Sequence, residues 1–279
     1  MIHDTAVIGK GAKIGPNTTV GAYALIEDGV EIGSGAKIRN HAVVRSGTII
    51  GDEVVIDSFA VVGGEPQDMS FDWNEKSGVV VGCGTIIREH ATVHRATVKN
   101  ENTIIGQNCL LMACSHVAHD CVIGSGVILA NCALLGGFVS AGNHCFIGGG
   151  ASMHQRTRVG EYTILGGYSA SSMDLPPYVI SADRSSVVGL NLVGLRRGGF
   201  SKCAVEEIKK CFVEIYSTHG KYSERASALL NSGKFHSLEA KKFLEFFTTS
   251  SRGIAPLRTR HTRNRNQFPE FVSVAGCSI

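Results

Sequence analysis

The sequence predicts an all-β solenoid of short stacked strands followed by a small α-helical domain. Three observations predict it. Aliphatic residues recur every six positions in two long runs. Glycine is abundant, 34 of 279 residues, while aromatics are scarce at 7%. Beyond residue 200 the spacing changes to that of amphipathic helices.

The first run goes without a break from Ile2, Ile8 and Ile14 to Ile56 and Val62. The phase resumes at Val81, Ile87 and Val93, weakens at Lys99, and continues from Ile105 and Leu111 to Leu165. A period of six is neither 3.6 nor 2, which excludes one long helix or one long strand. A short strand plus a corner, repeated, fits. The aliphatic points inward, its strand neighbours point outward, and the small residue two before the next aliphatic (Ala6, Ala12, Thr18, Ala24) points inward again. Gly9, Gly15, Gly21, Gly33, Gly51 and Gly63 directly follow an aliphatic and are expected to give the corners their backbone freedom. Cys109, Cys121 and Cys145 fall at the small inward position, a packing role. The pattern resembles the hexapeptide-repeat family, whose fold is the left-handed parallel β-helix. That resemblance implies triangular coils of three repeats, 18 residues each, and a prism of about nine coils at roughly 4.8 Å each.

Two insertions interrupt the repeat: a long one at 64–78 and a short polar one around 97–103. Loops on rigid scaffolds commonly carry function, and the longer one holds Gln67, Asp68 and the single tryptophan, Trp73. Residues 1–190 therefore read as the β-helix. Pro176–Pro177 rules out regular structure where the repeat fades. Residues 191–253 read as the helical domain, with Ser201 and Ser237 as N-caps. Residues 254–279 are aperiodic and basic, and are expected to be a poorly ordered tail.

The net charge of +3 divides unevenly. Residues 1–200 carry 14 basic against 17 acidic side chains, and residues 201–279 carry 13 against 7, which suits an acidic partner or anionic ligand at the C-terminal part. No window is apolar enough for a membrane span, and MIHDTAVIGK lacks the features of a secretory signal. Nine cysteines, none in a CxxC pair, give no support to a zinc ribbon or thioredoxin motif. The expected location is the cytoplasm, with no nucleic-acid partner.

SHVAHDC, residues 115–121, places two imidazoles and a carboxylate in apolar surroundings. The register sends His116 outward, because it precedes the inward Val117, and puts His119 and Asp120 at the following corner. One coil above His119 comes Gly137, and one coil further Gln155 beside His154. A potential base thus lies a strand spacing from an unencumbered backbone N–H.

GEPQDM, IREHATVHRAT, SHVAHDC, GGASMHQ, DLPPYVI, GLNLVGLRRGGFS and SSRG, in that order over residues 1–253, resemble the acyl-carrier-protein-dependent UDP-N-acetylglucosamine O-acyltransferases, which perform the first step of lipid A synthesis. The resemblance implies His119 as general base toward the sugar 3-hydroxyl, Asp120 as its orienting partner and the Gly137 amide as oxyanion donor. It implies glucosamine contacts from Gln67 and Asp68, a site lined by His116, His154 and Gln155, and nucleotide and phosphate contacts from Asn191 and Arg197. Gly167 matches the position that limits acyl length. The implied donor is an acyl group on the phosphopantetheine of acyl carrier protein, with no further cofactor and no metal, and the implied assembly is a homotrimer. Two positions depart from the family pattern: Phe138 stands where a histidine is usual, and Ser70 where a lysine is usual. Phe138 hints at a donor chain lacking the 3-hydroxyl. Three rival readings stay open. The His spacings do not match the zinc-binding carbonic anhydrases of this scaffold. Another hexapeptide acyltransferase, acetyl-coenzyme A dependent or the later N-acyltransferase, would differ in its product. A non-catalytic scaffold would have no use for His119 under Gly137.

Overall fold

The computed structural model describes residues 1–217 and 220–258. The chain winds into a left-handed parallel β-helix. Its strands, mostly two residues long, form three sheets of nine, eight and ten strands, and neighbours in a sheet are three strands apart in the chain until the last hairpin. These sheets are the faces of a prism. The first face includes Val7–Ile8 and His116–Val117, the second Val122–Ile123, and the third Ile128–Leu129 and Ile164–Leu165. Ile8 stands opposite Ile26 and Val117 opposite Leu135, a stagger of 18 residues. Inside, Ile26, Ile56, Ile87, Leu111, Leu135, Ile147 and Leu165 are fully buried. Cys109, Cys121 and Cys145 are buried among them, and each thiol donates to a carbonyl of a neighbouring coil. Burial pushes the Cys121 and Cys145 thiols up to about 12, which keeps them unreactive.

The repeat glycines have a different role from the expected one. Among the described residues, nineteen non-glycine residues hold positive φ, including Tyr23, Asp120, Phe138 and Arg156, so the left-handed corner position is mostly not glycine. Of the six glycines that follow an aliphatic in the first run, only Gly63 has positive φ. What they provide is room. A Cβ on Gly15 would lie 2.5 Å from a backbone carbon of Gly33, and one on Gly106 equally close to Gly124. Coils spaced about 4.8 Å apart cannot accommodate it.

The insertions appear as longer staggers. Val61 pairs with Thr92, 31 residues on, and Thr92 with His116, 24 on. The long loop is pinned to the solenoid. Arg95 donates to the Glu75 carbonyl at 2.7 Å and lies over Phe71, 4.8 Å from its ring centre, and Phe71 is buried.

The coil ends in a hairpin, Val179–Ala182 running antiparallel to Ser186–Leu190. Among the described residues four helices follow: α1 (Leu192–Arg197), α2 (Lys202–Tyr216), α3 (Tyr222–Asn231) and α4 (Leu238–Thr248). Ser201 and Ser237 cap α2 and α4 through bonds from Ala204 and Ala240. Ile208, Cys211, Ile215, Phe243, Leu244 and Phe247 form the buried core of the helices. The expected tail begins too early. Ile254 bridges Asp174, Leu257 bridges Val187, and Ala255 is fully buried, because backbone groups left open by the last hairpin and Asp174 recruit this segment. Residues 259–279 lie outside the described residues. Among the described residues no helix is long and apolar enough to cross a membrane.

Candidate active site

The prism has three edges, and His119, Gly137 and Gln155 stack along the one joining the first and second faces. Asp120 holds φ 59° at this corner. The turn brings its carboxylate back to the preceding ring, and His119 Nδ1 lies 2.7 Å from Asp120 Oδ2. A carboxylate only accepts, so Nδ1 carries the proton and Nε2 presents a lone pair.

Asp120 is itself firmly held. It receives the Thr97 hydroxyl at 2.6 Å, the Thr97 amide at 3.0 Å and the Val98 amide at 3.3 Å, while its own amide donates to Thr103 Oγ1 at 2.8 Å. Burial alone would raise its pKa. The bonds from Thr97, His119 and Val98 outweigh burial and hold the carboxyl below its ordinary range. Thr97, Val98 and Thr103 come from the short insertion, whose polar composition gave no sign of this role.

Gly137 closes the other side. A Cβ there would lie 2.6 Å from His119 Nε2, so only glycine leaves open space in front of the imidazole. Its carbonyl accepts from the Arg156 amide at 2.9 Å, and its own N–H has no acceptor among the described residues. A lone pair and an amide without an acceptor among the described residues thus lie on neighbouring coils of one corner. That pairing suits acyl transfer through a tetrahedral oxyanion.

Below the corner lie two more imidazoles. His116 Nδ1 bonds Thr92 Oγ1 at 2.7 Å, and its ring meets His94 edge-on at 4.7 Å. Burial, then the cost of placing a second charge beside His116 or His119, pushes His94 down to about 4, and burial with His119 lowers His116. Both rings stay neutral near neutrality. His94 is buried, and its Nδ1 has no partner among the described residues. Asp68, in the long loop, is close enough to feel the field of His119. The hydroxyl and amide of Ser70, then His119, lower its pKa. Ser70, one of the two departures, therefore pre-orients Asp68. Gln67 is exposed on the same loop.

A family model described as UDP-N-acetylglucosamine O-acyltransferase, domain 2, matches residues 174–255, and one for bacterial transferase hexapeptides matches 29–64 and 102–137. The acyl-[acyl-carrier-protein]–UDP-N-acetylglucosamine O-acyltransferase of Campylobacter concisus is 39% identical over 91% of this chain and 96% of its own. The chain belongs to the UDP-N-acetylglucosamine O-acyltransferase family. Among solved structures, the UDP-N-acetylglucosamine acyltransferase from Campylobacter jejuni superposes with TM-score 0.86 at 38% identity, covering 92% of this chain and all of that one. The Francisella novicida enzyme gives 0.85 at 29% identity, covering 93% and 95%.

Not every residue that the family resemblance pointed to lies at the His119 edge of this UDP-N-acetylglucosamine O-acyltransferase family member. Asn191 caps α1, accepting from Gly194 at 2.9 Å and donating to the Tyr162 carbonyl at 2.8 Å, so both ends of its amide are engaged. Tyr162 belongs to the edge between the second and third faces, and Arg197 ends the short helix that starts there. Gly167 follows Ile164–Leu165 and lies on the remaining edge. Within one chain these residues occupy three different edges. His154 and Gln155 are exposed one coil above Gly137, and Arg252 from the C-terminal segment reaches His154.

Proposed function

We propose that this protein transfers a long fatty acyl chain from acyl carrier protein to the 3-hydroxyl of UDP-N-acetylglucosamine, the first step of lipid A biosynthesis. The observation that carries the reading is the His119 Nε2 lone pair facing the space beside the free Gly137 amide, with Asp120 fixing the tautomer. As the sugar oxygen attacks the thioester carbonyl, Nε2 takes its proton. The oxyanion of the tetrahedral intermediate accepts from the Gly137 N–H. Collapse breaks the C–S bond, and the imidazolium returns the proton to the leaving thiolate of phosphopantetheine. A positioned base supplies about 10²–10⁴-fold, and an aligned amide donor about 2.7–4 kcal/mol. Gln67 and Asp68 would hold the glucosamine, and His116, His154 and Gln155 would line the cavity.

The distribution of Asn191, Arg197 and Gly167 over other edges supports a homotrimer in which one subunit brings His119 and a neighbour brings its remaining edges to the same cleft. Arg197 then supplies charge to the nucleotide phosphates, Asn191 shapes the short helix that presents it, and Gly167 leaves depth for a long chain. The basic C-terminal part suits the acidic carrier, and the cytoplasm is the compartment where both substrates would meet. The test is mass analysis of the product from UDP-N-acetylglucosamine and a mixed pool of acyl carriers. A 3-O-acylated sugar nucleotide is expected, with product lost in His119→Ala. Acetyl transfer from coenzyme A, or undiminished product from the variant, would overturn the reading.

A further inference from the structure

Two arginines whose guanidinium groups have no role so far serve the corner one coil above Gly137: Arg156 belongs to it, and Arg252 touches its His154. Arg156 holds φ 61° there. Its guanidinium carbon lies 4.0 Å from the centre of the Phe138 ring, and that ring stands edge-on to His119, 5.4 Å between centroids. Arg252 donates to His154 Nδ1 at 3.1 Å.

Neither guanidinium has a carboxylate partner among the described residues. Other solenoid arginines are paired with carboxylates. Arg158, two positions on, is held by the buried Asp174 at 2.9 Å, and Arg45 by Glu27 and Glu65. An unpaired guanidinium fixed over a ring keeps its fork of N–H donors in place and matches phosphate geometry. Phe138 thereby gains a purpose. Where the family pattern has a polar imidazole, this chain has a flat apolar face on which Arg156 lies.

We propose that Arg156 and Arg252 form a phosphate-binding pair around the 154–156 corner, gripping the phosphate-ester group of one of the two substrates while its other end reaches His119. The inference rests on the acyltransferase reading, which supplies two such groups: the diphosphate of the sugar nucleotide and the phosphodiester of phosphopantetheine.

The test uses the full chain and titrates two probe pairs, 4′-phosphopantetheine against pantetheine and UDP against uridine, into wild type, Arg156→Gln and Arg252→Gln. One phosphorylated probe should bind each variant about tenfold more weakly, as loss of a charge-assisted bond to phosphate predicts, with its dephosphorylated counterpart unaffected. The pair that responds identifies the source. KM for the corresponding substrate should rise by a similar factor, with kcat changing much less. Arg156→Lys and Arg252→Lys should recover part of the binding if the glutamine variants fold poorly. Phe138→Leu, which frees Arg156, should give a smaller loss. The proposal fails if wild type binds neither phosphorylated probe, if the variants bind both as wild type does, or if the dephosphorylated probes weaken equally. Phosphate binding that depends on these arginines in a chain that transfers no acyl group would sink the acyltransferase reading and leave the pair standing.

Discussion

Substituting Gly137 with alanine tests the central geometry most directly. The new methyl group would lie 2.6 Å from His119 Nε2 and closer still to Cε1, whereas ordinary contact begins at 3.4 Å, so the ring must retreat by about 1 Å. Retreat pulls against the 2.7 Å bond to Asp120, which cannot follow because Thr97, Val98 and Thr103 hold it. The methyl group also fills the space the sugar oxygen must enter. Misplacing a catalytic group by about 1 Å costs about 10²-fold. Gly137→Ala should therefore lower kcat by about 100-fold, equivalent to about 2.7 kcal/mol of barrier. Stability should change little, because His119 lies at the solenoid surface and outside its aliphatic core. The assay is chromatographic and mass-spectrometric measurement of initial rates, with Tm as a folding control. Gly189→Ala, whose Cβ would meet nothing within 4 Å, should behave as wild type. A Gly137→Ala enzyme with kcat within about threefold of wild type would refute the assignment of Nε2 and the Gly137 amide to one reacting centre.

Thr97→Val removes the 2.6 Å hydroxyl bond to Asp120 and should lower kcat about tenfold with KM for both substrates nearly unchanged, measured by the same assay. Asp120→Asn should lower kcat further. His94 ties stability to pH. Its pKa falls from 6.5 to about 4 on folding, so between those values the unfolded chain binds a proton that the folded one refuses. Unfolding free energy should therefore decrease as pH drops through that window, by at most about 3 kcal/mol, and urea titrations of His94→Gln should show a flatter dependence. A shared site predicts complementation: inactive His119→Ala and Arg197→Ala proteins, unfolded together and reassembled, should regain activity that neither shows alone. Absence of any recovery in verified mixed oligomers would place the whole site in one chain.

The sequence alone determined the solenoid, because a six-residue period assigns every residue a face, an edge and a coil. From that address it followed that His119 stands outside the core and under Gly137, and both hold. The same arithmetic could not say why the repeat glycines are there, since a Cβ clash between coils involves residues 18 apart and not local backbone preference. Nor could it reveal the role of Thr97, Val98 and Thr103, because insertions break the register and only folding shows where they return. His94 and the pairing of Arg156 with Phe138 and Arg252 with His154 were hidden for a related reason. Ring stacking and burial depend on the distance between coils and on a C-terminal segment that closes back over them from nearly 100 residues away. Period and register are local and legible; contact between distant segments is decided only when the chain has folded.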